Sequence, residues 1–309
     1  RDPSRARTIF VCMNAPMWTG SYIAVDWGTT NRRAWRVDCG QATDEFEDDC
    51  GITAVAAGAF PAKVSDIRTR LGDLPLVMAG MIGSNRGWVE APYISCPAGP
   101  EALAAALMEV PGERAWIIPG LSFADGKRAD VMRGEETQLF GAVAAGLCPP
   151  DALVCHPGTH NKWASLEGGR VIRFRTVMTG ELFNLLRQGS ILKGWLDRPA
   201  EPGAAFRRGV EQGLEGRALT ADLFSVRAGV LLGLAETDEA ASFVSGLLIG
   251  ADVRTGLEEF GRGEVVVMGR PELTSLYEAA LGVAGTTSSI VDGETALLAG
   301  IKSIVEQRS

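Results

Sequence analysis

The sequence predicts an α/β fold with mixed sheets, arranged in two halves. Short apolar runs bounded by glycine or polar turns alternate with longer stretches of helical spacing. The first half opens with an apolar run, a glycine-threonine turn and a second, alternating run, and this pattern returns near residue 152. Between the two copies stands Pro149-Pro150, which suits neither a helix interior nor a sheet.

Taken in order, Tyr22–Asp26 is apolar and ends in an acid, Gly28–Asn31 is a polar turn, and Arg33–Asp38 alternates, so this segment is a β-hairpin. A third strand is expected over Gly51–Ala56 and a helix over 61–72. Leu74–Gly80 is continuously apolar and closes on glycine, as a buried strand does. A helix over Glu101–Met108, a strand over Ala115–Pro119 and a helix over Gly134–Ala145 complete the half. In the second half, Ala152–Cys155 is a strand, His156–Lys162 a polar turn, and Trp163–Leu166 with Val171–Val177 a hairpin through Gly168-Gly169. Helices are expected over 180–192, 222–234, 239–259, 272–282 and 293–306, and a buried strand over Glu264–Met268. Residues 1–20 are expected to be a leader or disordered, leaving halves of 21–150 and 151–309.

A chain of 309 residues suits about two domains and needs no disulfide staple. Its composition, 46% hydrophobic and 22% charged, is that of a globular protein. The net charge of −8 makes it a poor general partner for nucleic acid. Six cysteines without a C-x-x-C spacing and only two histidines, His156 and His160, argue against a conventional zinc site and suit a reducing cytoplasm. The longest uncharged run, Thr8–Val25, is too polar to span a membrane. The remaining partners are small molecules, and a homo-oligomer stays open.

Gly28-Thr29-Thr30-Asn31-Arg32 returns as Gly158-Thr159-His160-Asn161-Lys162, each copy between two strands. Glycine allows close approach, threonine brings a hydroxyl, and exposed turn amides cradle phosphate oxygens, so two such loops clamp a polyphosphate. Two ordinary hairpin turns are the plainer alternative. Asp26 beside the first loop suits Mg²⁺, which often takes one or two carboxylates and keeps its waters; otherwise it caps the turn. Gly269, after a buried strand, leaves room for a flat ring, although strand-glycine-helix is also common packing. Asp130, Arg133, Glu135 and Glu136 crowd the start of a helix, where acids otherwise compensate the dipole. Ser84, Arg86, Trp88 and Glu90 form a polar and aromatic cluster that suits a sugar, or a surface loop with one packed ring.

These blocks, in this order, resemble the acetate/sugar kinase–Hsp70–actin superfamily, and within it the 2-dehydro-3-deoxygalactonokinase family. The stretches are D-W-G-T-T-N-R-R-A-W, G-M-I-G-S-N-R-G-W-V-E-A-P-Y, D-V-M-R-G-E-E-T-Q, P-G-T-H-N-K-W and M-T-G-E-L-F-N-L-L-R. The resemblance implies two RNase H-like, actin-like ATPase domains around a central cleft. It also implies ATP with Mg²⁺, and transfer of a phosphoryl group to the terminal hydroxyl of 2-dehydro-3-deoxy-D-galactonate. The ATP contacts would fall on Gly28, Thr29, Thr30, Asn31, Gly158, Thr159, His160, Lys162 and Gly269, with Asp26 at the metal. Sugar kinases of this superfamily generally place an aspartate base in a G-D-Q-like block, whereas here the block is Gly134-Glu135-Glu136-Thr137-Gln138. Glu135 is the expected base and Asp130 its competitor; Glu136 points about 100° away around the helix.

The sugar site is expected at Ser84, Arg86, Trp88, Glu90 and Arg133, with Arg86, Arg133 and Arg175 open as partners of the substrate carboxylate. The alternatives on the same fold are a nucleotide-driven chaperone or filament protein, a sugar-sensing regulator, and a polyphosphate or nucleotide phosphatase. No added helix-turn-helix or peptide-binding segment stands in the sequence to favour them.

Overall fold

A computed structural model describes residues 20–216 and 218–308; the expected leader over 1–19 lies outside the described residues. The first half runs β1 (Ser21–Trp27), β2 (Arg32–Asp38), β3 (Gln41–Asp48), α1 (Phe60–Leu71), β4 (Leu76–Ala79) and β5 (Tyr93–Ser95). It continues through α2 (Pro100–Ala105), β6 (Met108–Glu109), β7 (Ala115–Ile117), β8 (Gly120–Ala124), β9 (Ala129–Met132) and α3 (Glu135–Ala144). The second half has β10 (Ala152–His156), β11 (Asn161–Glu167), β12 (Arg170–Val177), α4 (Thr179–Gly189), α5 (Ala204–Glu215) and α6 (Leu219–Leu231). It ends with α7 (Ala240–Phe260), β13 (Val265–Gly269), α8 (Pro271–Val283), β14 (Ser288–Asp292) and α9 (Gly293–Gln307).

The strands form two mixed sheets, β3-β2-β1-β4-β7-β6 and β12-β11-β10-β13-β14, which match in order and direction over five strands, β6 being an extra antiparallel edge of the first. In each, a hairpin and its third strand run antiparallel, and the next two strands join in parallel through helical crossovers. Alternation along β1 sends Tyr22 and Ala24 to one face and Ile23, Val25 and Trp27 to the other. The inner faces of both sheets share one core with α3 and α9, built on Leu139, Phe140, Ala296, Leu297, Ile301 and Ile304. The outer face of the first sheet is covered by α1, and that of the second by α5, α7 and α8. α4, α6 and the start of α7 form a separate helical lobe.

α3 and α9 cross at backbone contact. A Cβ on Gly141 would collide with the Ala296 carbonyl, and one on Gly300 with the Thr137 carbonyl. A small sheet, β5-β8-β9, projects from the first half and meets the free edge of β12. Beside it, Ala98, in the segment that follows β5, and Val171 of β12 exchange both backbone hydrogen bonds, at 3.0 and 2.9 Å.

The third strand departs from expectation. It is Gln41–Asp48, reached through the two-residue turn Cys39-Gly40 with both φ values positive. As a solvated edge it is acidic and carries little apolar alternation, which suits an edge and hides it from a periodicity search. Gly51–Ala56 instead holds a short 3₁₀ turn over Ile52–Ala54. The small sheet, β6, α5 and β14 were not anticipated from the sequence. Among the described residues no helix is long and apolar enough to cross a membrane.

Candidate active site

The two hairpin loops line one cleft of about 720 Å³ between the sheets. Of the residues singled out in the sequence, Asp26, Gly28, Thr29, Thr30, Asn31, Gly158, Thr159 and Gly269 line it. Arg33, Glu47, Gln138, His156, Arg270 and Glu294 line it too.

Each loop is braced from behind through its carbonyls. Gly51 N–H donates to Thr30 O at 3.0 Å, Ile52 N–H to Gly28 O at 3.0 Å, and the Thr53 hydroxyl to Thr29 O at 2.8 Å. In the second loop, Glu181 N–H donates to Thr159 O at 2.9 Å. Both braces need a glycine: a Cβ on Gly51 would strike the Thr30 backbone, and one on Gly180 would stand 2.5 Å from Gly158 O. The amides of Thr29, Thr30, Gly158 and Thr159 donate to no acceptor among the described residues. Consecutive free amides in a turn form a cradle for anions.

The repeat is out of register by one residue when followed along the ladders. Trp27 pairs with Arg32 and Asp26 with Arg33, whereas His156 pairs with Lys162. Pro157, with no N–H to donate, drops out of the second hairpin. Arg32, the sequence counterpart of Lys162, therefore turns into the outer layer, bonded to Asp48 at 2.6 Å and Asp66 at 3.3 Å. Lys162 turns inward and meets Glu135 Oε1 at 2.9 Å and the His160 carbonyl at 3.0 Å. It lies behind the cleft wall and not on it. His160 itself is exposed and pairs with Glu181 of α4.

The N-terminus of α3 stands between the two hairpins. Glu135 Oε2 accepts the Arg133 amide at 3.1 Å. Burial opposes charge on Glu135, but the Lys162 ammonium, helped by His156, holds its carboxyl below the ordinary range. Glu136 is fully buried; both its oxygens accept the Gly134 amide at 2.8 Å, and burial and neighbouring Glu135 push its pKa to about 7. His156 Nε2 meets Gln138 Oε1 at 2.8 Å, and burial lowers the basicity of the imidazole. Asp26, at the end of β1, is raised to about 6, chiefly by burial, against the pull of Arg33.

Asp130 is not brought to the cleft. It points from β9 to the second half, where its carboxylate accepts the Thr176 amide at 2.8 Å and the Thr176 hydroxyl at 2.6 Å. The expected sugar cluster also lies off this cleft. Trp88 stacks on Phe60, with centroids 6.2 Å apart, and Ser84 is buried, its Oγ accepting the Arg86 amide at 3.3 Å. Arg86 and Glu90 are exposed. Arg133 is buried above Tyr93, with Nη2 donating to Ala91 O at 2.8 Å.

Asp252 of α7 was missed from the sequence. Its buried carboxylate accepts from Asn161 at 2.9 Å, Trp163 at 2.7 Å, Tyr277 at 2.6 Å and Thr179. It thereby ties the start of β11 to α4 and α8. Asn161 thus faces the core, unlike its counterpart Asn31, which is exposed near Glu47. The sign of this hub was a lone acid in an otherwise apolar helix face.

A profile of the 2-keto-3-deoxy-galactonokinase family matches residues 26–304. The 2-dehydro-3-deoxygalactonokinase of Escherichia coli (strain K12) is 39% identical over 289 residues, covering 93% of this chain and 98% of that protein. A probable 2-dehydro-3-deoxygalactonokinase of Rhizobium meliloti (strain 1021) is 38% identical over 295 residues, 92% and 96% of the two chains. The crystal structure of a Sinorhizobium meliloti protein assigned to the same activity superposes with a TM-score of 0.83 at 36% identity, covering 92% and 97% of the chains. The activator of a Clostridium difficile 2-hydroxyisocaproyl-CoA dehydratase, with bound ADPNP, reaches 0.51 at 12% identity over 93% and 96%, a likeness of fold.

Proposed function

Because the chain belongs to the 2-keto-3-deoxy-galactonokinase family and is a sugar-acid kinase, we propose that it transfers the γ-phosphoryl group of ATP to the terminal, 6-hydroxyl of 2-dehydro-3-deoxy-D-galactonate. The observation that carries this is the pair of braced loops whose unpaired amides line one cleft from opposite sheets. Such a cradle suits a chain of phosphates, and phosphoryl transfer is chiefly a matter of positioning and charge stabilisation. The adenosine end lies toward Gly269 and the start of α8.

Glu135 acts as the base. It stands at a helix N-terminus between the hairpins, and Lys162 keeps it ionised. As the acceptor oxygen bonds to the γ-phosphorus, its proton passes to the Glu135 carboxylate. The bond from the γ-phosphorus to its bridging oxygen breaks, and ADP leaves. Asp130, with its carboxylate held by Thr176, has no part in this step.

Asp26 fits a Mg²⁺ ion. Its carboxylate lines the cleft, and no hydrogen bond or ion pair of the described residues engages it. One carboxylate with phosphate oxygens and water is an ordinary Mg²⁺ environment. When bound, the ion neutralises charge that builds on the phosphate oxygens.

The segments 21–150 and 151–309 act as two domains that close on the substrates. The described cysteines are all free thiols, which suits a reducing cytoplasm. The test is ADP release by the purified chain with ATP, Mg²⁺ and the sugar acid, with NMR of the product. Phosphorus coupling to the C6 protons is expected. ADP release that does not depend on the sugar acid, or coupling at another carbon, overturns the reading.

A further inference from the structure

We propose that the buried guanidinium of Arg133 receives the carboxylate of the sugar acid, a deepening that rests on the kinase reading above. Arg133 is 8% exposed. Nη2 donates to the Ala91 carbonyl, and the guanidinium carbon lies 4.3 Å from the centroid of the Tyr93 ring. Nε and Nη1 are buried with no acceptor, so three of its five N–H groups have none. No carboxylate of the described residues pairs with it; Glu136, close by in the chain, spends both oxygens on the Gly134 amide.

A buried cation with no carboxylate in ion-pair contact and most of its donors unmatched is costly to a fold, and orphaned donors call for an explanation. An anionic ligand supplies both missing elements. A planar fork with spare donors suits a carboxylate in particular.

The position suits the reaction as well. The Arg133 amide donates to Glu135 Oε2, so the base is tied to the backbone of the residue that carries the guanidinium, at the head of α3. A 2-keto acid sugar carries its charge at C1 and its primary hydroxyl at the far end, so a site that holds the hydroxyl at Glu135 needs a cation a short distance away. Nη1 lies against the 81–93 segment, where a Cβ on Gly83 would stand 2.9 Å from it. The ring over the guanidinium, Tyr93, is itself 40% exposed. The rival arginines lack this need. Arg86 is exposed to water, and Arg175 has the Glu259 carboxylate 3.9 Å away.

Steady-state kinetics on the wild type and Arg133→Met, with 2-dehydro-3-deoxygalactonate and with its uncharged C1 amide, test the assignment. Arg133→Met should lower kcat/KM for the acid about 10–100-fold, mostly through KM. The loss on the amide should stay below about threefold. Equal losses on both substrates, or none, overturn it. Arg133→Lys, which keeps the charge and loses the fork, guards against misfolding and should also lose preference for the acid. Without ATP, the acid should raise the melting temperature of the wild type but not of Arg133→Lys. Protection of the wild type by the amide or by inorganic phosphate at the same concentration overturns the assignment. If the wild type fails to phosphorylate the acid, the kinase reading falls, while acid-specific protection that depends on Arg133 still supports the carboxylate site.

Discussion

At Glu135 burial and the Lys162 ammonium pull in opposite directions, and the ammonium prevails. A carboxylate kept ionised can take a proton from an alcohol, an effect typically worth about 10²–10⁴-fold. Glu135→Gln should therefore lower kcat by about two orders of magnitude or more, with near-normal ATP affinity in a titration. Asp130→Asn should leave kcat within a few fold and lower the melting temperature instead, because it weakens the hold on Thr176. Asp26 makes a pH prediction. Its carboxyl binds a cation only after losing its proton, so the Mg²⁺ concentration for half-maximal activity should rise as pH falls through about 6, and level off above 7. Half-saturation that is flat from pH 5 to 8 would contradict it. Glu136 behaves oppositely to a paired acid. Its pKa rises on folding from 4.5 to about 7, so the folded chain keeps a proton that the unfolded chain has lost. Stability should fall as pH rises across that window, and Glu136→Gln should flatten the melting temperature over the same range. Asp26 and the glycine-threonine turns were legible because strand, turn and strand follow each other directly in the chain. The direction of Asp130 was not, because it is set by the docking of β9 against β12, a contact between segments distant in sequence.

Among the elements, the braces behind the loops deserve a test of their own. The sequence showed the loops and hid what holds them, since a brace is a tertiary contact made by a glycine and a few amides. The expected strand at Gly51–Ala56 proved to be one brace, and the head of α4 is the other. Gly180→Val should push the second loop toward the cleft; a misplacement of about 1 Å can cost about 10²-fold in rate. Nucleotide titration and kcat/KM for ATP should both suffer, with the circular dichroism of the wild type retained. Central strands such as β4 were readable because they are apolar throughout. α5 was not, since Gly209 and Gly213 interrupt its apolar face; they lie where it meets α7 at backbone distance.

For the whole molecule, the two sheets are joined on one side and open on the other. The joined side has the Ala98–Val171 pair, the Asp130–Thr176 bonds and the Arg128–Glu259 ion pair. On the cleft side the lining charges pair as Arg33 with Glu294 at 2.8 Å and Arg270 with Glu47 at 3.8 Å. Binding of both substrates should close the cleft and exclude water. Solution scattering should then show a smaller radius of gyration with the sugar acid and a non-hydrolysable ATP analogue together than with neither. An unchanged radius, with binding confirmed by calorimetry, would count against closure. The matching topology of the sheets was legible as a repeat of short motifs. The crossing helices were not, because nothing in α3 alone announces a partner more than a hundred residues away.

That crossing sets an order of events during synthesis. The strands of the first sheet leave the ribosome early, but one of the two helices that cover their inner face begins at Gly293. Until α9 emerges, Tyr22, Ala24, Val77 and Ala79 lie beneath an incomplete lid of side chains, and the nascent chain carries a sticky surface for most of its translation. A ribosome stalled before residue 293 should therefore present an intermediate that chaperones bind and proteases cut, whereas release of α9 should hide that surface in a single late step.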